Sequence, residues 1–248
     1  LLHELPDQAA MVRPLCPTRQ IADPTDVGVV LDWAFHLLTT GRPGPVHIEV
    51  PTDVMPLPCA ALPAPAATPA VPLPAPDDLI AAAQRLNIAK RVVILAGGGA
   101  RGQETALRAL AEKLDAPVVE TVNARGMMHR HMLCVPASPS LTATRALIES
   151  ADQILAIGTE FGPTDYDMYV RGGFPDVSAM IRIDRSPEQL GRHKTALPLC
   201  GDAAATIAAL LPLLAAKTGD GADRAERTRT AARAELADDD GRFGYDPP

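Results

Sequence analysis

The chain has 248 residues, 47% of them hydrophobic, enough for one substantial core or for one domain with part of another. A formal charge of −7 and 3% aromatic residues exclude a phosphate-tracking surface, which needs clustered Lys and Arg with stacking platforms, so no nucleic acid is expected as a partner. No uninterrupted apolar stretch reaches the ~20 residues that span a bilayer, and LLHELPDQ has no basic lead into an apolar run; no membrane is expected, and the expected location is cytoplasmic.

In chain order, the first clear element is DPTDVGVVLDWAFHLL. Asp23 suits a cap, Pro24 the first helical position and Asp26 the third, where a carboxylate meets free backbone N–H groups. Val27, Val30, Leu31, Ala34 and Leu38 then form one apolar helical face. After GRPGP, Val46, Ile48 and Val50 alternate as in a half-buried strand. One helix and one strand do not make a domain, so the remaining strands of this unit are expected upstream of Leu1 and the chain reads as truncated. Residues 56–76 are almost all Pro, Ala, Leu and Val, the composition of an extended linker.

Strands and helices then alternate. RVVILAGGGA, APVVETV, ADQILAIGT, SAMIRID and ALPLCGD read as strands, while ETALRALAEKL, SLTATRALIES and AAATIAALLPLLAAK read as helices, the last distorted by Pro212. This predicts an α/β fold with a parallel sheet and helices on both faces over residues 77–217. Residues 218–248 are charged around most of a helical circumference, which predicts a solvated helix or a second linker. Cys16, Cys59, Cys134 and Cys200 are too scattered for a metal or redox motif and are expected to be free buried thiols. His129 and His131 could share one strand face, but no carboxylate or thiol stands at ligand spacing, so no metal site is assigned.

GRPGPVHIEVPTDVM, residues 41–55, resembles the end of the pyrimidine-binding domain of thiamine-diphosphate (ThDP) dependent enzymes of the acetolactate synthase type, and LHELPDQ, residues 2–8, resembles a nearby segment of that family. VVILAGGGA with APVVETVNARG, ADQILAIGTEFG, MIRID and LCGDA resemble, in order, the strand ends of the family's central domain. The resemblance implies a fragment: residues 1–55 from the pyrimidine-binding domain, 56–76 a linker, 77–217 the central Rossmann-like domain, and 218–248 a linker toward a diphosphate-binding domain. It further implies ThDP and Mg²⁺ in the whole enzyme but not on this chain, no catalytic residue here, a small 2-oxo acid as substrate, and a homo-dimer or tetramer. FAD or ADP is a candidate for the central domain. Gly219-Asp220-Gly221 has the composition of the family's diphosphate motif, but no asparagine follows it, and it is read as linker.

In an open parallel sheet, ligands bind beyond the carboxyl ends of the strands. Gly97, Gly98, Gly99, Gly158, Thr159, Asp184 and Asp202 fall there and are the candidate cofactor-binding residues, with a tight turn as the alternative for GGGA and a helix cap as the alternative for Asp184. Where the synthases carry arginines after the glycine of the ILAIGT strand, this chain reads GTEFGPTDYDMY. Glu160, Asp165 and Asp167 therefore form a candidate substrate set matched to a cation, which resembles the branch acting on 2-oxo acids with a basic side chain, such as 2-ketoarginine decarboxylase. Solvated loop charges are the alternative. His3, where relatives commonly carry Gln, is a second departure. A free-standing FAD-, NAD- or ADP-binding module and an NAD-dependent dehydrogenase remain as rivals, since Gly97, Gly99 and Gly102 have the dinucleotide spacing and Glu120 follows at the end of the next strand.

Overall fold

A computed structural model describes residues 7–40, 44–62, 64, 73–163, 165–166 and 177–243. The chain divides into two compact units, residues 1–71 and 72–248. The division falls inside the Pro/Ala-rich stretch.

In the first unit, Asp7 accepts the Ala10 N–H at 2.8 Å and starts α1 (Gln8–Val12). β1 (Thr18–Gln20) follows, then one 3₁₀ turn at Pro24–Asp26, α2 (Val27–Thr39) and β2 (His47–Glu49). Asp23 and Asp26 form the expected reciprocal cap with Pro24 inside it, but the turn they start is 3₁₀, and the α-helix proper begins at Val27. Val30 and Ala34 are buried on the predicted face, whereas Leu38 is exposed. β1 pairs in parallel with β2, Thr18 opposite His47 and Gln20 opposite Glu49. The expectation that the other strands of this unit lie outside the chain is thereby corrected for one strand. Three polar-leaning residues carry no alternation to reveal it. His3, with residues 2–6 of the first resembling segment, and Gly41, Arg42 and Pro43 of the second lie outside the described residues.

The second unit opens with α3 (Pro76–Ile88), a helix the strand-first reading passed over, with Pro76 at its first turn and Asp77 and Asp78 beside the free N–H groups. The rest runs β3 (Val92–Ala96), α4 (Glu104–Leu114), β4 (Val118–Glu120), β5 (Cys134–Val135), α5 (Thr142–Glu149), β6 (Gln153–Ile157), β7 (Ile181–Asp184), α6 (Pro187–Gly191), β8 (Leu197–Cys200), α7 (Ala203–Leu210) and α8 (Gly221–Phe243). Pro212 ends α7 as a 3₁₀ turn at Leu211–Leu213.

All six strands from β3 to β8 are parallel, in the order β5-β4-β3-β6-β7-β8. This is the doubly wound order, whose direction reverses between β3 and β6. Alternation along β3 divides the core. Val92, Ile94 and Ala96 join Leu86, Leu107, Leu110 and Ile207 of α3, α4 and α7, while Val93 and Leu95 join Leu147 and Ile148 of α5 and Ala225 of α8.

The solvated reading of the C-terminal helix is corrected. Ala225, Thr228 and Ala232 are buried, and Arg224 is only 4% exposed. Arg224 pairs with Asp220 at 3.1 Å and donates to the carbonyls of Val92 and Asp115. Arg229 donates to the carbonyls of Met132 and Cys134, and Glu235 accepts the N–H groups of Thr142 and Ala143 that open α5. The docking face is made of small and polar residues, so hydrophobic periodicity does not register it.

Two smaller readings also change. Cys59 is exposed, not buried; Cys134 is buried, and burial together with the nearby Glu120 carboxylate pushes its thiol up to about 12. A carboxylate does reach the histidine pair: Glu112 of α4 lies 3.0 Å from Nε2 of His131, whose Nδ1 accepts the Leu133 N–H. Sequence distance concealed that contact.

Candidate functional site

Parallel strands place all their carboxyl ends on one edge, so Gly97–Gly99, Gly158 and Asp184 share it as expected. The loops after β3 and β6 meet at the reversal of the strand order. There the glycines touch one another. The Gly97 N–H donates to the Ile157 carbonyl and the Gly99 N–H to the Gly158 carbonyl, both at 2.9 Å. A Cβ on Gly97 would lie 2.3 Å from the Gly158 oxygen, and one on Gly158, at φ +58°, would lie 2.6 Å from Gly99 Cα. Gly98 faces Asn123, with 3.1 Å between its notional Cβ and the asparagine Cβ.

Across this junction, Glu160 is exposed and Asp165 half-buried. Burial raises the Asp165 carboxyl above its ordinary range, a hydrogen bond from the Val122 N–H opposes the rise, and the charge of Glu160 adds to it. Gly98 beside Asn123, Gly99 beside Gly158 and Asp165 beside Val122 bring the β3, β4 and β6 loops together, and the outer rim of that junction, its mouth, carries the exposed Glu160 and the half-buried Asp165. Asp167 lies outside the described residues.

The other candidates lie farther along the edge and are occupied locally. Asp184 accepts the Ser186 N–H at 2.9 Å, and Asp202 caps α7 through Ala205 while pairing with Arg185 at 3.3 Å. Glu120, the acid of the dehydrogenase rival, is fully buried, its carboxylate holding the N–H groups of Gly126 and Met128. Asp220 of the Gly-Asp-Gly sequence is paired with Arg224 and Arg227.

A dinucleotide pyrophosphate needs free N–H groups at the start of the helix after β3. At α4 the Gly102 N–H already bonds to the carboxylate of Glu104 at 3.1 Å, and that negative charge in the first turn opposes a phosphate. Thr159, an expected ligand contact, is only 2% exposed and faces inward, its hydroxyl 3.5 Å from the Tyr166 hydroxyl.

Sequence reasoning missed the residues beneath the mouth. Arg182 of β7 is completely buried, donates Nη2 to the Thr159 carbonyl at 3.0 Å and lies 4.9 Å from the centre of the Phe161 ring. Its Nε and Nη1 have no hydrogen-bond partner among the described residues. Burial lowers its pKa from the usual arginine value. Phe161 holds φ +55°, a conformation that bulky side chains rarely adopt. The sequence signal for Arg182 is its place inside MIRID, where an arginine stands between the two buried isoleucines of a strand.

Comparison with known proteins places this arrangement. Residues 79–210 match the family described as thiamine pyrophosphate enzyme, central domain. A protein of Pseudomonas aeruginosa named as a probable 2-ketoarginine decarboxylase is 35% identical over 240 residues, covering 95% of this chain and 42% of that protein. The acetolactate synthase of Mycobacterium bovis is 33% identical over 203 residues, 76% of this chain and 32% of its own length. A solved structure from Mycobacterium smegmatis, assigned provisionally as a thiamin diphosphate-dependent enzyme, superposes with a TM-score of 0.67 at 24% identity over 85% of this chain and 42% of its own, a likeness of fold. The chain thus spans less than half the length of these relatives. No helix among the described residues is long and apolar enough to cross a membrane. The match over residues 79–210 and the doubly wound sheet built from the same residues agree: the chain belongs to the thiamine pyrophosphate enzymes and carries their central domain.

Proposed function

We propose that this chain is the middle part of a ThDP-dependent enzyme that decarboxylates a 2-oxo acid with a cationic side chain, and that Glu160 and Asp165, with Asp167 beyond the described segment, receive that cation. The observation that carries the reading is the acid pair at the switch-point mouth, in a chain 35% identical to a probable 2-ketoarginine decarboxylase. A guanidinium matches carboxylates through paired N–H donors, and a partly desolvated charged hydrogen bond contributes about 1.5–3 kcal/mol, or roughly ten- to a hundredfold in discrimination. ThDP and Mg²⁺ are assigned to parts of the enzyme outside residues 79–210, in a homo-dimer or tetramer.

FAD or ADP remains the finer expectation for the strand-end residues Gly97, Gly98, Gly99, Gly158, Thr159, Asp184 and Asp202. Glu104 and the acid pair weigh against a pyrophosphate at this mouth, and thermal shift with FAD, ADP and NAD decides the matter.

The test is kcat/KM for 5-guanidino-2-oxopentanoate against pyruvate in the intact enzyme, before and after Glu160→Gln with Asp165→Asn. The guanidino acid is expected to be preferred, and the double substitution to cut that preference about tenfold or more. Equal preference in the parent, or an unchanged ratio in the variant, rejects the cationic substrate and favours a synthase-like one. The 248-residue chain titrated alone with ThDP and Mg²⁺ is expected to give no appreciable binding.

A further inference from the structure

The loop after β6 alternates anchored and presented residues. Thr159 and Phe161 are each 2% exposed and Tyr166 is completely buried, while Glu160 is exposed and Asp165 half-buried. Each acid is thus one residue from a buried anchor, and the anchors hold one another. The Thr159 and Tyr166 hydroxyls are 3.5 Å apart, and the Phe161 and Tyr166 rings stack at 5.5 Å between centroids. Arg145 of α5 fixes the Tyr166 carbonyl at 2.8 Å. His193 closes the far edge of the Phe161 ring at 5.6 Å.

Arg182 joins this cluster from below and touches both neighbours of Glu160: the carbonyl of the residue before it and the ring of the residue after it. The left-handed turn at Phe161 lets that ring point inward while Glu160 points out. A completely buried guanidinium with two nitrogens lacking partners among the described residues is a costly way to build a core, since apolar residues of similar volume commonly replace buried charges without loss. Its planar fork does something an apolar residue does not: it grips a carbonyl and covers a ring at fixed relative angle.

We propose that Arg182 is a positioning residue, which through Thr159 and Phe161, and with Tyr166, sets the separation of Glu160 and Asp165 at the mouth. The inference rests on the proposed role of those acids in receiving a cation. Two carboxylates five residues apart in a loop do not hold a geometry suited to one guanidinium unless both ends of the loop are clasped, and misplacement of about 1 Å can reduce a positioned interaction a hundredfold.

The test reads position without substrate. In the 248-residue chain, carboxyl carbon NMR follows the titration of Asp165 with and without Glu160→Gln, first in the native background and then with Arg182→Met. Methionine keeps the volume and removes the fork. A displacement of the Asp165 midpoint by Glu160→Gln that is present in the native chain and lost with Arg182→Met supports the inference; equal displacement in both backgrounds overturns it. If Arg182→Met does not fold, Tyr166→Phe, which removes only the hydroxyl, takes its place with the same two outcomes at smaller amplitude. In the intact enzyme, Arg182→Met is expected to raise KM for 5-guanidino-2-oxopentanoate about tenfold with kcat for that substrate held within about twofold, and Arg182→Lys to recover only part, having charge without the fork. An unchanged KM overturns the inference while leaving the substrate reading intact if Glu160→Gln alone raises it. No effect of Glu160→Gln on KM, with the NMR coupling lost in Arg182→Met, rejects the substrate and leaves the positioning standing.

Discussion

The two loops that meet at the switch point are built from opposite materials. After β3, Gly97 and Gly99 lie against Gly158 with backbone on backbone, and no side chain intervenes. After β6, the chain beyond Gly158 is organised by side chains: a buried arginine, two stacked rings and a threonine hydroxyl. The difference separates two meanings of a glycine-rich strand end. Glycines here bring two loops of the protein together, which is the same physical property that elsewhere admits a ligand, while the acids proposed to receive a cation stand in the polar loop that they support.

The comparison breaks most sharply at Gly97. Its Cβ would meet the Gly158 oxygen at 2.3 Å and Thr159 Cα at 2.4 Å, both rigid backbone. Gly97→Ala is therefore expected to cost about 3 kcal/mol or more, seen as a large loss in the thermal or urea midpoint, with ligand-free protein sufficient to show it. A native-like midpoint would mean that the junction is open and available to a ligand. Gly98→Ala sharpens the point, because its Cβ would meet only the Asn123 side chain at 3.1 Å. A loss of about 1 kcal/mol or less is expected, so the two adjacent alanines should differ clearly in one melting experiment.

On the polar side the smallest change has the opposite sign. The Asp165 carboxyl is raised by burial and by Glu160, so folding favours its protonated form. A raised acid contributes its full stability below its unfolded pKa and loses it as pH rises through the folded value. Asp165→Asn imitates the protonated state. It is expected to raise the midpoint modestly at pH 7, with the gain vanishing as pH falls below the ordinary aspartate range. A loss of stability at pH 7 would show that Asp165 is held in its charged form by a partner, against a carboxyl that burial drives toward its protonated form.

Much of the second unit was legible because buried parallel strands are short β-branched runs: VVILA, QILAI and IRID each became a strand. What escaped lacked that signature. β1 is TRQ, three residues whose pairing with His47–Glu49 is non-local, and α3 emerges from a proline-rich run that disguises its start. The acids at the mouth were visible because charge stands out in sequence. Their support was not, since Arg182 reads as one more alternating polar residue until burial shows it enclosed. Asp184 and Asp202 illustrate the converse, because a strand-end aspartate looks the same whether it awaits a ribose or, as here, takes the N–H of Ser186 or Ala205.

The docking of α8 bears on the order in which the unit assembles. Its bonds to Val92, Asp115, Cys134 and Thr142 close loops of 132, 109, 95 and 93 residues, whereas β3 and β4 pair across a short crossover. Long loops carry the larger closure entropy, which favours closing these bonds after the more local strand pairs. During synthesis the strands emerge before residues 221–243 exist, and until then the N-terminus of α5 has no Glu235 and the carbonyls at β5 have no Arg229. Within this unit, the helix made after all six strands is the one that packs against α5, and a ribosome paused ahead of it would hold out a sheet with that side incompletely covered, open to whatever binds unfinished apolar surfaces.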